Sequence, residues 1–80
     1  MKILLYGRLA DAIAREVDIG VGCPCTVGGV RASLAREHPE AAETLMSPRS
    51  RAVVGGLLAT DDQVVGSGGT VEFLPPVSGG

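Results

Sequence analysis

Residues 70–80 read TVEFLPPVSGG, and this stretch decides how the chain is organised. In its first half, Val71 and Phe73 share one face of a period-two strand and the alternate positions share the other, as in a half-buried strand. Pro75 and Pro76 follow. Because proline has no N–H and a fixed φ of about −65°, the chain must leave the sheet there. The stretch predicts a terminal strand followed by an extended arm.

The arm comprises residues 75–80. Six residues at about 3.3 Å each give it a reach of about 20 Å from the sheet. Gly79 and Gly80 carry no side chains, so they can enter a narrow channel and bring the terminal carboxylate to another protein or to a nucleotide. A frayed chain end is the alternative explanation. We predict one folded domain over residues 1–74 and a flexible arm over residues 75–80.

Composition excludes several classes of protein. A chain of 80 residues with one alternating apolar pattern allows one small domain. A net charge of −2 with mixed signs argues against a nucleic-acid-binding protein. No apolar run approaches a membrane span, and Met1 and Lys2 lead straight into a strand rather than a signal peptide. We expect a cytoplasmic protein, in which Cys23 and Cys25 stay reduced.

The apolar pattern also predicts the order of the elements. The first half has a strand over residues 2–7, a short helix over 8–16, a strand over 17–21, and the main helix from its N-cap at Thr26 to a break before Pro39. The second half has a helical piece over 40–46 and a hairpin of strands 51–54 and 57–60 around a Gly-Gly turn. A segment at 64–65 tucked under the sheet and the terminal strand complete the order. This order is that of a β-grasp, an α+β fold whose mixed sheet curls around one helix. We expect the terminal strand to pair with the first strand in the middle of the sheet.

The same periodicities predict which side chains face the core. On the first strand they are Ile3 and Leu5, and on the main helix they are Val27, Val30 and Leu34. The core is therefore expected between the sheet and that helix.

No internal stretch has the pattern of an active site. One residue separates Cys23 from Cys25, which is not the spacing of a metal or redox pair, and no second ligand pair exists. His38 is the only histidine, and the glycine-rich residues 66–69 enter a strand rather than opening a helix, so they predict a turn. The acidic pair at residues 61–62 has no partner in the sequence, which predicts a solvated turn. We expect no metal site.

The segment FLPPVSGG at residues 73–80 resembles the C-terminal signature of the small subunit of molybdopterin synthase, a family of ubiquitin-like sulfur carriers. The resemblance implies that the carboxyl group of Gly80 is adenylated and then converted to a thiocarboxylate. It also implies which residues thread the tail into a partner: Pro75, Pro76, Val77, Ser78 and Gly79. The likeness is closest over residues 70–80 and weaker in detail between residues 20 and 56.

The resemblance also implies the partners. A carboxylate is a poor electrophile because its charge is delocalised, so an adenylating enzyme of the ubiquitin-activating kind would use ATP on the terminal glycine. A sulfur donor protein would supply the sulfur, and the large subunit of molybdopterin synthase would hold the pyranopterin precursor that receives it. The chain itself would bind no cofactor and would donate sulfur without an active site of its own.

A docking surface is predicted beside the arm. Leu4, Tyr6 and Leu74 fall on the sheet face away from the main helix, and an apolar patch there suggests successive binding of the adenylating enzyme and the large subunit. Scattered surface hydrophobic residues are the alternative explanation.

Two other functions use the same activated tail. The chain could carry sulfur for another product, such as the thiamine thiazole, a thiolated tRNA or cysteine. It could also be a protein modifier that forms isopeptide bonds with lysines. Only the acceptor of the tail separates these functions.

Overall fold

The computed structural model describes residues 1–20, 25–66 and 68–76. Its strands are β1 (Lys2–Leu5), β2 (Glu16–Asp18), β3 (Cys25–Thr26), β4 (Arg51–Val54), β5 (Leu57–Ala59), β6 (Val64–Val65) and β7 (Thr70–Leu74). Its helices are α1 (Arg8–Ala12), α2 (Val27–Glu37) and α3 (Ala42–Met46), with a short 3₁₀ helix at Pro39–Ala41 before α3. No helix in these described ranges is long and apolar enough to cross a membrane.

The main sheet has five strands in the order β2-β1-β7-β4-β5. The terminal strand β7 lies in its centre, parallel to β1 and antiparallel to β4. β2 and β5 pair antiparallel at the two edges. The predicted β-grasp architecture, with a mixed sheet and a central terminal strand, is confirmed.

One face of this sheet packs against α2. Ile3 and Leu5 of β1 lie beside Val71 and Phe73 of β7, and all four side chains are buried. The buried apolar side chains form one core: Ile3, Leu5, Leu9, Ile19, Val27, Val30, Leu34, Ala41, Leu45, Ala52, Val65, Val71 and Phe73. Burying a side chain the size of Phe73 stabilises the fold by about 1.5–3 kcal/mol. The predicted core positions of β1, α2 and β7 are confirmed.

Helix α2 begins and ends where the sequence predicts. The Thr26 side-chain oxygen accepts a hydrogen bond from the backbone N–H of Gly29 at 3.1 Å, which caps the first turn. The Gly28 N–H donates to the Asp61 carbonyl at 2.9 Å, and a Cβ at Gly28 would lie 3.1 Å from the Asp61 Cβ. Glycine therefore lets the turn after β5 approach the helix. The helix ends before Pro39, whose ring disfavours a helical conformation at His38.

Arg31 on α2 is a buried charged residue that the apolar pattern did not predict. Its guanidinium donates to Asp61 Oδ1 at 3.2 Å and to the Leu45 carbonyl at 2.5 Å, and it lies 5.1 Å from the centre of the Phe73 ring. The turn at residues 61–62 is exposed, as the sequence predicts, but Asp61, whose side chain is 65% exposed, has a partner in Arg31 that the sequence did not indicate. The ion pair joins the turn after β5 to α2, and the Leu45 contact joins α3 to the same arginine.

The amino-terminal elements are shorter than predicted. β1 ends at Leu5 because the Tyr6 carbonyl already accepts the first hydrogen bonds of α1, from Leu9 and Ala10. The helix predicted over residues 8–16 ends at Ala12. The Leu5 N–H donates a hydrogen bond to the Arg15 carbonyl, so the chain at Arg15 is already extended alongside β1.

Two further predictions need correction. The strand predicted over residues 17–21 is β2, Glu16–Asp18; Ile19 is buried beyond its end, and residue 21 lies outside the described ranges. The segment at residues 64–65 is not tucked under the main sheet as a whole. It pairs with β3 in a separate two-stranded sheet, with Val65 buried and Val64 exposed.

The predicted hairpin is confirmed. β4 and β5 pair around Gly55 and Gly56, whose φ angles are 61° and 82°. Two consecutive positive φ angles favour glycine because they strain any residue with a Cβ.

Candidate functional site: the base of the arm and the open sheet face

The arm leaves the sheet at the end of its central strand. β7 ends at Leu74, and Pro75 and Pro76 follow as partly buried, non-sheet residues. Val77, Ser78, Gly79 and Gly80 lie outside the described residues, so their roles in threading and activation stay predictions.

A side chain from the α3–β4 connection holds the end of β7. Ser50 is buried and its hydroxyl donates to the Leu74 carbonyl at 3.2 Å. That carbonyl is the last one of the strand, and Pro75 follows it without an N–H of its own to donate. The serine hydroxyl therefore satisfies the last carbonyl of the strand, at the point where the sheet ends and the arm begins.

A glycine holds the other side of the base. Gly7 has φ 57° and ψ −133° at the N-cap of α1, and a Cβ built there would lie 2.9 Å from Pro75 Cγ. Gly7 is thus needed both for its backbone conformation and for the close approach of the arm. Neither Gly7 nor Ser50 was predicted from the sequence. The Gly7 position, directly before a predicted helix, was the one available signal.

Pro76 lines a shallow groove beside this base. The other residues of the groove come from α1, α3 and the loop after α3: Arg8, Glu43, Thr44, Ser47 and Pro48. The arm therefore starts beside helical elements as well as at the end of the sheet.

The sheet face opposite α2 is open. Leu4 lies beside Glu72 across the β1–β7 pair, and Leu74 lies on the same face two residues further along β7. Tyr6 follows β1, and its hydroxyl reaches Glu72 on this face. Leu4 is partly buried, whereas Tyr6 and Leu74 are 42% and 37% exposed. The structure places the three predicted docking residues on one face, next to the exit of the arm.

The open face extends further than the sequence indicated. Val53 of β4 pairs with Glu72, and Leu58 of β5 pairs with Val53. Leu58 is 73% exposed. The hairpin around the Gly-Gly turn was the signal that could have found these two residues, because its register sets Leu58 opposite Val53. Leu4, Glu72, Val53 and Leu58 form a row across four strands, which we call the open-face row.

Tyr6 and Glu72 form a polar contact on this face that changes the pKa of the tyrosine. The Tyr6 hydroxyl donates to Glu72 Oε1 at 2.5 Å. This hydrogen bond raises the pKa of Tyr6 above its ordinary value of 10.0, and partial desolvation and the negative charge of Glu72 raise it further. The pair therefore holds the tyrosine as a neutral donor.

The other chemical candidates do not come together. Among the described residues, no three His, Cys, Asp or Glu side chains form a group that could hold a metal ion. Cys25 lies beside β6, with its sulfur 3.9 Å from the Val65 carbonyl, while Cys23 lies outside the described residues. His38 is at the end of α2, 3.6 Å from the Glu40 carboxylate.

Comparison with known proteins gives a family and a set of similar folds. The model of the ThiS family matches residues 3–80. The crystal structure of SAMP1 from Haloferax volcanii is similar with a TM-score of 0.80 and 26% identity, over 99% of this chain and 97% of that one. No curated protein matches the sequence.

Two further structures share the fold at lower identity. The solution structure of the Haloferax volcanii protein HVO 2177 has a TM-score of 0.87 at 21% identity, over 99% of this chain and 84% of that one. A putative molybdopterin converting factor subunit 1 from Pyrococcus furiosus has a TM-score of 0.81 at 19% identity, over 95% of both chains. These two likenesses establish the β-grasp fold.

Replacing Gly7 tests the base of the arm. We expect Gly7→Ala to lower the free energy of unfolding by about 2 kcal/mol, because it forces a residue with a Cβ into a positive φ and against Pro75. Gly20→Ala is the matched control: Gly20 is exposed with no atom within 4 Å of a built Cβ, and we expect a change within about 0.5 kcal/mol. Urea unfolding of both variants measures the difference. Equal urea midpoints for Gly7→Ala and Gly20→Ala would contradict the requirement for glycine at position 7.

The titration of Tyr6 tests the hydrogen bond to Glu72. Tyr6 is the only tyrosine, so tyrosinate absorbance reports it alone, and we expect its midpoint above 10.0 in the folded protein. Because the folded-state pKa is raised, the pair stabilises the fold below the unfolded pKa, and this contribution disappears as pH rises through the folded pKa. Glu72→Ala should lower the midpoint towards 10.0, and Glu16→Gln should leave it unchanged. The same midpoint with and without Glu72 would rule out the contact.

Proposed function

This chain belongs to the ThiS family of ubiquitin-like sulfur carriers, and from this membership we propose that it is the cytoplasmic small subunit of a molybdopterin synthase. The observation that carries the proposal is the segment FLPPVSGG at residues 73–80, which begins on the central strand and ends in two glycines. Its fold likeness to a putative molybdopterin converting factor subunit 1 supports the same assignment.

The chemistry takes place on the carboxyl group of Gly80. An adenylating enzyme joins this carboxylate to the α-phosphate of ATP and releases pyrophosphate, which gives an acyl-adenylate with a good leaving group. Sulfur supplied by a donor protein at the oxidation level of hydrosulfide then attacks the acyl carbon, displaces AMP and leaves a thiocarboxylate. The large subunit takes this sulfur for the pyranopterin precursor. The small subunit binds no cofactor in this scheme, since its partners hold the ATP and the precursor.

The described residues contribute position rather than catalysis. Ser50 and Gly7 fix where the arm leaves the sheet, on the two sides of its first residues. Because the base of the arm is fixed, the free arm has fewer conformations. Less conformational entropy is therefore lost when a partner binds the arm. Pro75 and Pro76 continue this restraint because their φ angles are fixed. Gly79 and Gly80 then supply the narrow end that enters the partner.

We assign the docking of both partners to the open face beside this base. Leu4, Tyr6 and Leu74 present apolar surface there, and an enzyme bound to them has the start of the arm within reach. Burial of such a patch at an interface supplies the main favourable term for association.

A second candidate function is protein modification. SAMP1, which is also described as small archaeal modifier protein 1, is similar to this chain over nearly its whole length. A modifier uses the same adenylated glycine but transfers it to a lysine amine. Sulfur delivery to the thiamine thiazole, to tRNA or to cysteine is a third possibility within the same family. The acceptor distinguishes all of these.

Intact mass measurement tests the proposed activation. After incubation with ATP, an adenylating enzyme and a sulfur donor, we expect a mass gain equal to one exchange of oxygen for sulfur. A chain lacking Gly80 should show no mass gain, because its terminal carboxyl group would lie one residue short of the position that the adenylating enzyme acts on. Adding the large subunit and the pyranopterin precursor should return the mass to its starting value.

Other results of this experiment select other functions. A missing mass gain, with an enzyme that is active on a known carrier, would contradict the sulfur-carrier proposal. A thiocarboxylate that persists with the large subunit and precursor would point to another sulfur acceptor. Adducts with protein lysines, found by peptide mass analysis, would support the modifier.

A charge placed on the open face tests the docking surface. We expect Tyr6→Glu to lower the rate of thiocarboxylate formation at limiting enzyme, because a second carboxylate beside Glu72 must be desolvated in the complex. The far-ultraviolet circular dichroism spectrum should be unchanged, since Tyr6 is 42% exposed. An unchanged rate would remove this face from the partner interface.

A further inference from the structure

Glu72 is a charged residue on the open face that is flanked by apolar side chains on both neighbouring strands, with the exposed Arg51 of β4 on the same face opposite Leu74. It lies on the central strand, between Leu4 of β1 and Val53 of β4, and Leu74 follows two residues later on the same face. The Glu72 side chain is partly buried in this position. Any protein that covers the docking surface proposed above therefore also covers the Glu72 carboxylate.

No cation among the described residues forms an ion pair with this carboxylate, and this includes Arg51 on the same face. The hydrogen-bond partner of the carboxylate is the Tyr6 hydroxyl, which is a neutral donor. The acidic residues at the edge of the same face differ in this respect. Glu16 lies 4.0 Å from the Lys2 amine, and Asp18 lies 3.9 Å from the terminal amine.

Covering an uncompensated carboxylate with apolar surface is costly, because the charge loses its hydration and gains nothing in exchange. The hydrogen bond from Tyr6 satisfies one oxygen atom but leaves the charge. A partner that binds this face with useful affinity must therefore supply a cation at this point. A guanidinium fits best, since its planar fork can bind a carboxylate oxygen while its flat face lies against apolar side chains.

We propose that Glu72 is the specificity-determining residue of the docking surface, and that the adenylating enzyme places an arginine or lysine side chain against it. The inference rests on the proposed function, because it identifies a feature of the partner that activates the tail. Tyr6 acts as a positioning residue: its hydroxyl holds the carboxylate over the face, between the apolar side chains that surround it. The apolar residues supply area, and the ion pair selects which protein can cover them.

Kinetics of the adenylation step test this proposal. The assay is ATP–pyrophosphate exchange by the adenylating enzyme with the full chain as carrier substrate. We expect Glu72→Gln to raise the KM for the carrier by about tenfold to a hundredfold, because the enzyme's cation then faces a neutral amide in the complex, and to leave kcat unchanged. Tyr6→Phe keeps the charge and should raise KM only a few fold.

Glu16→Gln is the matched control. It removes one negative charge from the same face, but at the edge strand and beside Lys2, so its KM should equal that of the wild type. Salt supplies a second readout. The wild-type KM should rise with ionic strength, and this rise should be weaker for Glu72→Gln because one ion pair is missing.

The outcomes separate this inference from the function on which it rests. Exchange with the wild type together with an unchanged KM for Glu72→Gln overturns the role of Glu72 and leaves the sulfur carrier intact. Equal effects of Glu72→Gln and Glu16→Gln overturn it as well, since they show a general charge effect. Self-association of the chain that Glu72→Gln abolishes would assign the face to a second copy and overturn the inference. Absence of exchange with the wild type overturns both proposals.

Discussion

The parallel pairing of β1 with β7 is the contact on which the rest of the structure depends. It joins the two ends of the chain, sets Ile3 beside Val71 and Leu5 beside Phe73, and puts the last strand in the middle of the sheet. Because β4 pairs on the other side, β7 has hydrogen-bonded neighbours along both edges. The arm thus starts from a strand that cannot fray without breaking the core.

The same strand serves three purposes through its period of two. Val71 and Phe73 point into the core, Glu72 and Leu74 lie on the open face, and the next residues form the base of the arm. A partner that recognises the open face therefore binds the strand from which its substrate extends. In the proposed function, one short piece of backbone would therefore join the surface that a partner recognises to the tail that it receives.

Arg31 shows how a small core with few aromatic residues is tied together. Its guanidinium contacts Asp61, the Leu45 carbonyl and the face of the Phe73 ring, so one side chain connects α2, α3, the turn after β5 and the central strand. A buried charge is tolerated here because Asp61 pairs with it and remains mostly exposed to water. Burial of Phe73, the only phenylalanine, thus depends on polar contacts as well as on apolar packing.

The sequence alone determined the order of the elements, the core faces of β1, α2 and β7, the Gly-Gly hairpin and the end of the sheet at Pro75. These follow from periodicity and from the stereochemistry of proline and glycine, which are properties of a residue and its near neighbours. Only the tertiary structure decided that Gly7 and Ser50 hold the base of the arm, that Arg31 pairs with Asp61, and that Tyr6 bonds Glu72 from 66 residues away. Such contacts depend on which strands become neighbours, and no local pattern in the chain encodes that choice.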